Sequence, residues 1–414
     1  MTEDRADVTA HLERLAEAIR KAAPGCSERV LAAFRAVPRH VFVSELLVDM
    51  PDGEPKTLLC DPRSPSMEAL DWVYEDRPLR QWPQCADGKS CPSTNSQPSL
   101  TAQALTALEL EEGHRVLEVG SGTGYAAALL GHLVGSSGAV VSIDIVPDLV
   151  RLARHTIAEL GLSQVTVTEG DGALGYPTGS PYDAIVASVS LRQVPRAWLD
   201  QLRPHGRIVL PLRLALAGCD ALVAFQQEYK TLVGRCLCSC GYQVILGQHG
   251  FDEREALACT DTDGALKSLL ERERESLDFI GAMARDLEEA YYFQFWLNLH
   301  DDSGAFVLDK TRGSFSPLAL LDPCRTTLAA WWDGETRVHF YGEPEARDRF
   351  LAAYERWTRE GRPRPSDLRM EVFWNDPAAD SSQADMGKAP GDVMWCRVWF
   401  ERSSLSPRKT SSLG

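Results

Sequence analysis

The most constraining stretch of this chain runs from Arg115 to Val134. Arg115-Val116-Leu117-Glu118-Val119 is a short β-forming run that passes straight into Gly120-Ser121-Gly122-Thr123-Gly124, and Tyr125 to Val134 is rich in Ala and Leu. That order predicts a strand, a tight turn and a helix. Glycine at every second position of the turn answers two needs: the backbone must reverse sharply, and a ligand must approach it closely. Ala139-Val140-Val141-Ser142-Ile143 reads as a second buried strand that ends on Asp144. A carboxylate at that tip can accept hydrogen bonds from both ribose hydroxyls of an adenosine ligand. Glycine turns join many strands to helices without binding anything, so it is Asp144 that turns the reading toward a nucleoside site. The spacing Glu118-x-Gly120-x-Gly122-x-Gly124 also differs from the G-x-G-x-x-G of dinucleotide folds.

Strand and helix keep alternating downstream. Pro147 to Leu160 has helical period, Val165 to Thr168 is a strand, Tyr182 to Ala187 a fourth and Arg207 to Leu212 a fifth. This predicts a Rossmann-like, doubly wound α/β sheet with its site at the carboxyl ends of the strands. The third strand runs into Gly170-Asp171-Gly172, where an Asp can accept from an adenine amino group while a backbone N–H meets a ring nitrogen. Ala221 to Gln226 and Thr231 to Val244 are expected as antiparallel strands that finish the sheet. Upstream, Val8 to Ala22 and a second helix capped by Ser27 predict a small helical cap. Thr94-Asn95-Ser96-Gln97-Pro98-Ser99 precedes a further helix and, by itself, is a capping segment.

Past about Gly250 the composition shifts, and seven of the ten tryptophans lie there. Glu275 to Ala290 reads as a helix, and Ala346 to Arg359 as an amphipathic one. Phe293 to Leu299, Val338 to Tyr341, Met370 to Trp374 and Val393 to Phe400 read as strands. The result is a smaller α+β domain whose aromatics form either a core or a peptide-binding platform. The net charge of −16 disfavours nucleic acid and anionic membrane as partners. No apolar run approaches the ~20 residues of a membrane span. Eleven scattered cysteines behind an acidic N-terminus without a signal sequence predict reduced thiols and a cytoplasmic location. Cys236, Cys238 and Cys240 alternate, so in a strand they would share one face. No paired C-x-x-C accompanies them, which favours packing over a metal, and none is expected.

Together these residues resemble the protein-L-isoaspartate (D-aspartate) O-methyltransferase family. Val37-Pro38-Arg39-His40-Val41-Phe42-Val43, Tyr74-Glu75-Asp76-Arg77-Pro78-Leu79 and Thr94-x-Ser96-x-Pro98 are similar to its N-terminal signature, the segment before its substrate loop, and that loop. The Val116–Tyr125 stretch, Gly170-Asp171-Gly172 and Pro181-Tyr182-Asp183-Ala184-Ile185 are similar to its cofactor and later motifs. The glycines alone would say only methyltransferase; the Val-Pro-Arg and Thr-x-Ser-x-Pro elements are the specific ones. Asn95 and Gln97 depart from the small or apolar residues usual there, and the link from Leu79 to Thr94 is long. The aromatic C-terminal part resembles that of long actinobacterial members, some of which methylate an aspartate of a ribosomally made peptide.

The resemblance implies a methyl donor, S-adenosyl-L-methionine, and an acceptor carboxylate on a protein or peptide. It implies that Ser96 is the catalytic hydroxyl, with Thr94, Gln97 and Pro98 in the substrate loop. Glu118, Gly120, Gly122 and Gly124 would shape the methionine pocket, Asp144 would hold the ribose, and Asp171 and Gly172 the adenine. The chain then divides into a helical cap and substrate loop (1–110), the cofactor domain (111–250), the aromatic-rich domain (251–402) and a disordered tail (403–414). Two readings besides isoaspartyl methylation stay in view: tailoring of a dedicated peptide, and an inactive fold whose C-terminal part binds a partner.

Overall fold

A computed structural model describes residues 3–49, 55–81, 93–214, 220–229, 231–250, 265–279, 287–300, 304–309, 314–322, 324, 326–332, 334–374 and 394–401. The proposed tail and most of the long link before Thr94 lie outside these. The chain begins with helices α1 (Glu3–Ala22) and α2 (Glu28–Ala36), and the Ser27 hydroxyl accepts from Val30 N at 3.3 Å as the expected cap. A two-stranded ribbon β1 (Glu45–Asp49) and β2 (Pro55–Leu59), helix α3 (Met67–Val73), a second ribbon β3 (Leu79–Gln81) and β4 (Ser93–Asn95), and helix α4 (Pro98–Ala107) complete the N-terminal part.

Then come β5 (Arg115–Val119), α5 (Tyr125–Val134), β6 (Ala139–Asp144), α6 (Pro147–Glu159), β7 (Val165–Glu169), β8 (Tyr182–Ala187), α7 (Arg196–Gln201) and β9 (Leu202–Arg213). Strands β10 (Asp220–Glu228) and β11 (Thr231–Cys240) follow as an antiparallel pair. Strands β5 to β9 pair in parallel. Apolar side chains cover both faces of these strands, Val116, Val140 and Ala184 on one and Leu117, Val141 and Ile185 on the other. That is the burial a parallel sheet requires, and it explains why the strands read as continuous apolar runs. The carboxyl ends of β5, β6 and β8 therefore meet at one edge.

The remaining elements are α8 (Ala265–Leu270), β12 (Glu273–Asp278), α9 (Leu287–His300), β13 (Gly304–Asp309), β14 (Ser314–Leu321), β15 (Thr327–Trp331), β16 (Arg337–Gly342), α10 (Glu345–Arg359), β17 (Leu368–Trp374) and β18 (Met394–Phe400). A five-stranded antiparallel sheet has the order β12-β16-β15-β14-β13. Trp296, Trp331, Trp332 and Trp357 are fully buried within it and its helices, so these four tryptophans make a core and not a surface platform. The last two strands do something else. They continue the first sheet, whose order is β18-β17-β11-β10-β9-β8-β5-β6-β7. Residues 368–374 and 394–400 thus belong to the nine-stranded sheet, although the sequence places them past residue 250.

Two elements differ from their expected type. The start of the charged run read as a helix is strand β12, which among the described strands lies at the sheet's edge beside β16. The aromatic run read as a strand lies within helix α9. Ala290, Phe293, Trp296 and Leu297 of this helix enter the second core, while Phe295 and Leu299 enter the first. A helix buried on opposite sides has no polar stripe, and without one its period is hidden. The three alternating cysteines also do not share a face. A bulge pairs Val223 with Cys236 but Leu222 with Cys238, so Cys236 joins one core and Cys238 and Cys240 pack on the other side.

Candidate functional site

The floor of the site is the glycine turn between β5 and α5. Gly120 and Gly124 have φ of +92° and +97°, and a Cβ there would meet Val189 at 3.0 Å and Ala153 at 3.1 Å. Glycine is required at both for conformation and for room. Asp144 at the tip of β6 ties the turn down: its Oδ2 accepts from Gly122 N at 2.9 Å and its Oδ1 from Val146 N at 3.0 Å. Each oxygen keeps a lone pair for a further donor. Burial raises the Asp144 pKa, and the backbone donors oppose that rise.

Glu118 does not line the cavity. It lies beneath the turn, fully buried, and its Oε2 accepts from Ser142 Oγ at 2.5 Å. Ser142 and Ser121 share a hydroxyl–hydroxyl bond of 2.6 Å, which links Glu118 to the turn above. Burial pushes the Glu118 carboxyl up to about 8. Among the described residues its Oε1 has no partner, and neither does the hydroxyl of buried Tyr125, which lines the cavity. The cavity is bounded by Gly120, Gly122, Tyr125, Asp144, Gly172 and Ile245, among others. A carboxylate with spare lone pairs, a glycine-walled floor and an unsatisfied buried hydroxyl fit a polar nucleoside with an extended tail. Gly124 sits under α5 and faces α6 rather than the cavity.

Asp171 departs from its expected place. Its Oδ1 accepts from Ala173 N at 2.9 Å and its Oδ2 from Gln248 N at 2.7 Å. A Cβ on Gly247 would stand 2.4 Å from Oδ2, so only glycine fits beside it. Gly172 lines the cavity, while the Asp171 side chain latches the segment 241–250 that forms the opposite wall. That segment also runs along 188–191, with Ser190 N donating to Gln243 O at 2.7 Å and Ile245 N to Ser190 O at 3.0 Å.

Thr94 and Ser96 stand where the cavity opens into a second groove. Ser188 and Gln243 join them as residues common to both spaces. Gln97 lines only the second groove, and its Nε2 donates to Asp76 Oδ2 at 3.2 Å. Pro98 is buried in the first turn of α4, where its missing N–H costs nothing. The N–H of Ser99 in that turn donates to Asp76 Oδ1 at 2.8 Å. Asn95 Nδ2 donates to Thr123 Oγ1 at 3.3 Å, which fastens the loop to the glycine turn.

Beneath the loop, fully buried Arg39 donates to the carbonyls of Val73, Glu75, Arg77 and Ser96 at 2.9–3.1 Å. The Val-Pro-Arg element is therefore a clamp that joins the segment before the loop to the loop itself. Sequence reasoning missed Ser188, Tyr242 and Gln243. Ser188 follows β8 at a strand carboxyl end, a position that could have flagged it; Tyr242 and Gln243 carry no local signal.

The family model for protein-L-isoaspartate(D-aspartate) O-methyltransferase matches residues 65–247. The protein-L-isoaspartate O-methyltransferase of Thermotoga maritima is 34% identical over 210 residues, 51% of this chain and 58% of that protein. That of Methanothrix thermoacetophila is 38% identical over 241 residues, 58% of this chain and 97% of that protein. A solved protein-L-isoaspartate O-methyltransferase structure shares the fold with a TM-score of 0.51 at 24% identity. It covers 88% of this chain and 97% of its own, so the likeness of fold reaches past residue 250.

Proposed function

Because the chain belongs to the protein-L-isoaspartate O-methyltransferase family, we propose that it methylates the free carboxylate of isoaspartyl residues in proteins or peptides. The observation that carries this reading is the junction at Ser96, where the nucleoside cavity and the second groove share four residues. The methyl donor is S-adenosyl-L-methionine, which when bound supplies an electrophilic methyl on a sulfonium.

Asp144 holds the ribose through its spare lone pairs, and Gly120 and Gly122 let the methionine part lie against the backbone. Gly172 faces the adenine; Asp171 acts from behind by fixing the wall at Gln248. Thr94 and Ser96 meet the acceptor, and the Ser96 hydroxyl donates to one carboxylate oxygen so that the other points at the donor. An acceptor carboxylate has an ordinary pKa near ~4 and is already ionised at neutral pH, so no base is needed. The protein's work is alignment and exclusion of water. The ester then loses methanol as the next backbone nitrogen attacks its carbonyl, leaving a succinimide. Six free thiols among the described cysteines suit a reducing, cytoplasmic setting, and the net charge of −16 argues against nucleic-acid partners.

The test offers radiolabelled cofactor with an isoaspartyl peptide and its aspartyl twin. Label in the isoaspartyl peptide alone is expected. Label in neither peptide would overturn the acceptor assignment, and label in the aspartyl twin would favour a dedicated aspartyl substrate.

A further inference from the structure

The 241–250 segment carries one more group at the junction. Tyr242 lines the acceptor groove with Ser96, whose hydroxyl stands within reach of the phenol. The tyrosine is fixed from behind. Its N–H donates to Asp220 Oδ2 at 3.3 Å, and fully buried Asp220 is held by Arg213 Nε at 2.7 Å. This buried ion pair joins the end of β9 to the start of β10, and it anchors Tyr242 against the acceptor side.

We propose that Tyr242 is a positioning residue for methyl transfer: its hydroxyl donates to Ser96 Oγ and leaves the single Ser96 proton for the acceptor carboxylate. The proposal rests on the acceptor reading above. A serine hydroxyl has one hydrogen and two lone pairs, whereas a carboxylate only accepts. With a carboxylate in the groove, Ser96 must donate to it, so the bond between the two hydroxyls runs from tyrosine to serine. That bond holds the Ser96 rotor in one orientation and polarises its O–H toward the acceptor. Burial lifts the Tyr242 phenol above its usual range, so the phenol keeps the proton it donates.

The test is a four-protein comparison: wild type, Tyr242→Phe, Ser96→Ala and the double variant. Each is assayed with the isoaspartyl peptide and titrated separately with cofactor. Tyr242→Phe is expected to raise the acceptor KM and lower kcat/KM about three- to tenfold, with cofactor affinity unchanged. In the Ser96→Ala background the same change is expected to add nothing, because the tyrosine acts only through that serine. Tyr242→His, which returns a donor, recovers part of the loss when Ser96 is present and none when it is absent.

Additive effects in the double variant would overturn the proposal, and so would a loss confined to cofactor affinity. A wild type that leaves the isoaspartyl peptide unmethylated overturns the acceptor reading and this proposal with it. An active wild type with additive variants overturns the proposal alone.

Discussion

The two sides of Ser96 are held by different kinds of structure. On the donor side, the glycine turn and Asp144 sit at the ends of the neighbouring parallel strands β5 and β6, and the Asp144 carboxylate and the backbone N–H groups around it hold one another. On the acceptor side, Thr94–Gln97 and Tyr242–Gln243 come from segments well over a hundred residues apart. Each is held by single side chains that reach in from elsewhere: Arg39 to Ser96 O and Asp76 to Ser99 N on one, Asp220 to Tyr242 N on the other. The donor side follows from topology, whereas the acceptor side depends on a few buried polar groups, each of which can be removed.

The largest way to break this contrast is Arg39→Ala. It leaves four carbonyls without their donor and opens a cavity where a fully buried side chain stood. A loss of roughly 3–5 kcal/mol is expected in urea unfolding. In the protein that still folds, the acceptor KM should rise while cofactor affinity holds. A matching loss of cofactor affinity would mean that the two sides are not separately held.

Glu118→Gln acts on the donor side alone and with a pH signature. The native carboxyl keeps its proton up to about pH 8, while in the unfolded chain it ionises near its ordinary value of 4.5. Between those values the native state binds more protons, so this group's contribution to stability falls as pH rises. The glutamine variant should match wild type below pH 4.5 and exceed it by roughly 2–4 kcal/mol at pH 8. Urea unfolding at the two pH values reads this, and equal stability at both would place the proton elsewhere.

Asp144→Ala is the smallest of the three. It removes the acceptor for Gly122 N and Val146 N together with the proposed ribose contacts. Cofactor affinity by calorimetry should fall about 10–100-fold with acceptor KM little changed.

The same contrast decides what could be read from the sequence. The strand–turn–helix order, Asp144 and the parallel sheet were legible because each depends on residues within one short window. Ser27 as a cap was legible for the same reason. Asp171 was placed by its position at a strand tip, yet its carboxylate is turned away by Gln248 N, a donor 77 residues later. The loop Thr94–Pro98 looked like a helix cap, and in part it is one: α4 begins at Pro98, but the capping oxygen comes from Asp76. The Phe293–Leu299 part of helix α9 reads as a strand because burial on both faces erases the stripe that marks a helix. The bulge at Leu237 could not be foreseen from alternating cysteines, since only the partner strand shows which residue is extra.

Strands β11 and β17 are neighbours in the sheet, with Arg235 opposite Arg369, although more than a hundred residues of chain run between them. Seen as a hairpin, the pair has an entire folded unit for its loop. The aromatic part is thus spliced into the enzyme's sheet and not hung from its end. Stopping the chain at residue 250 would strip two strands from the sheet and the Phe295 side chain from its core, and an unstable, adhesive edge should result. A shortened chain that splices a tight turn between β11 and β17 would keep that edge covered, and is the excision more apt to leave a working methyltransferase.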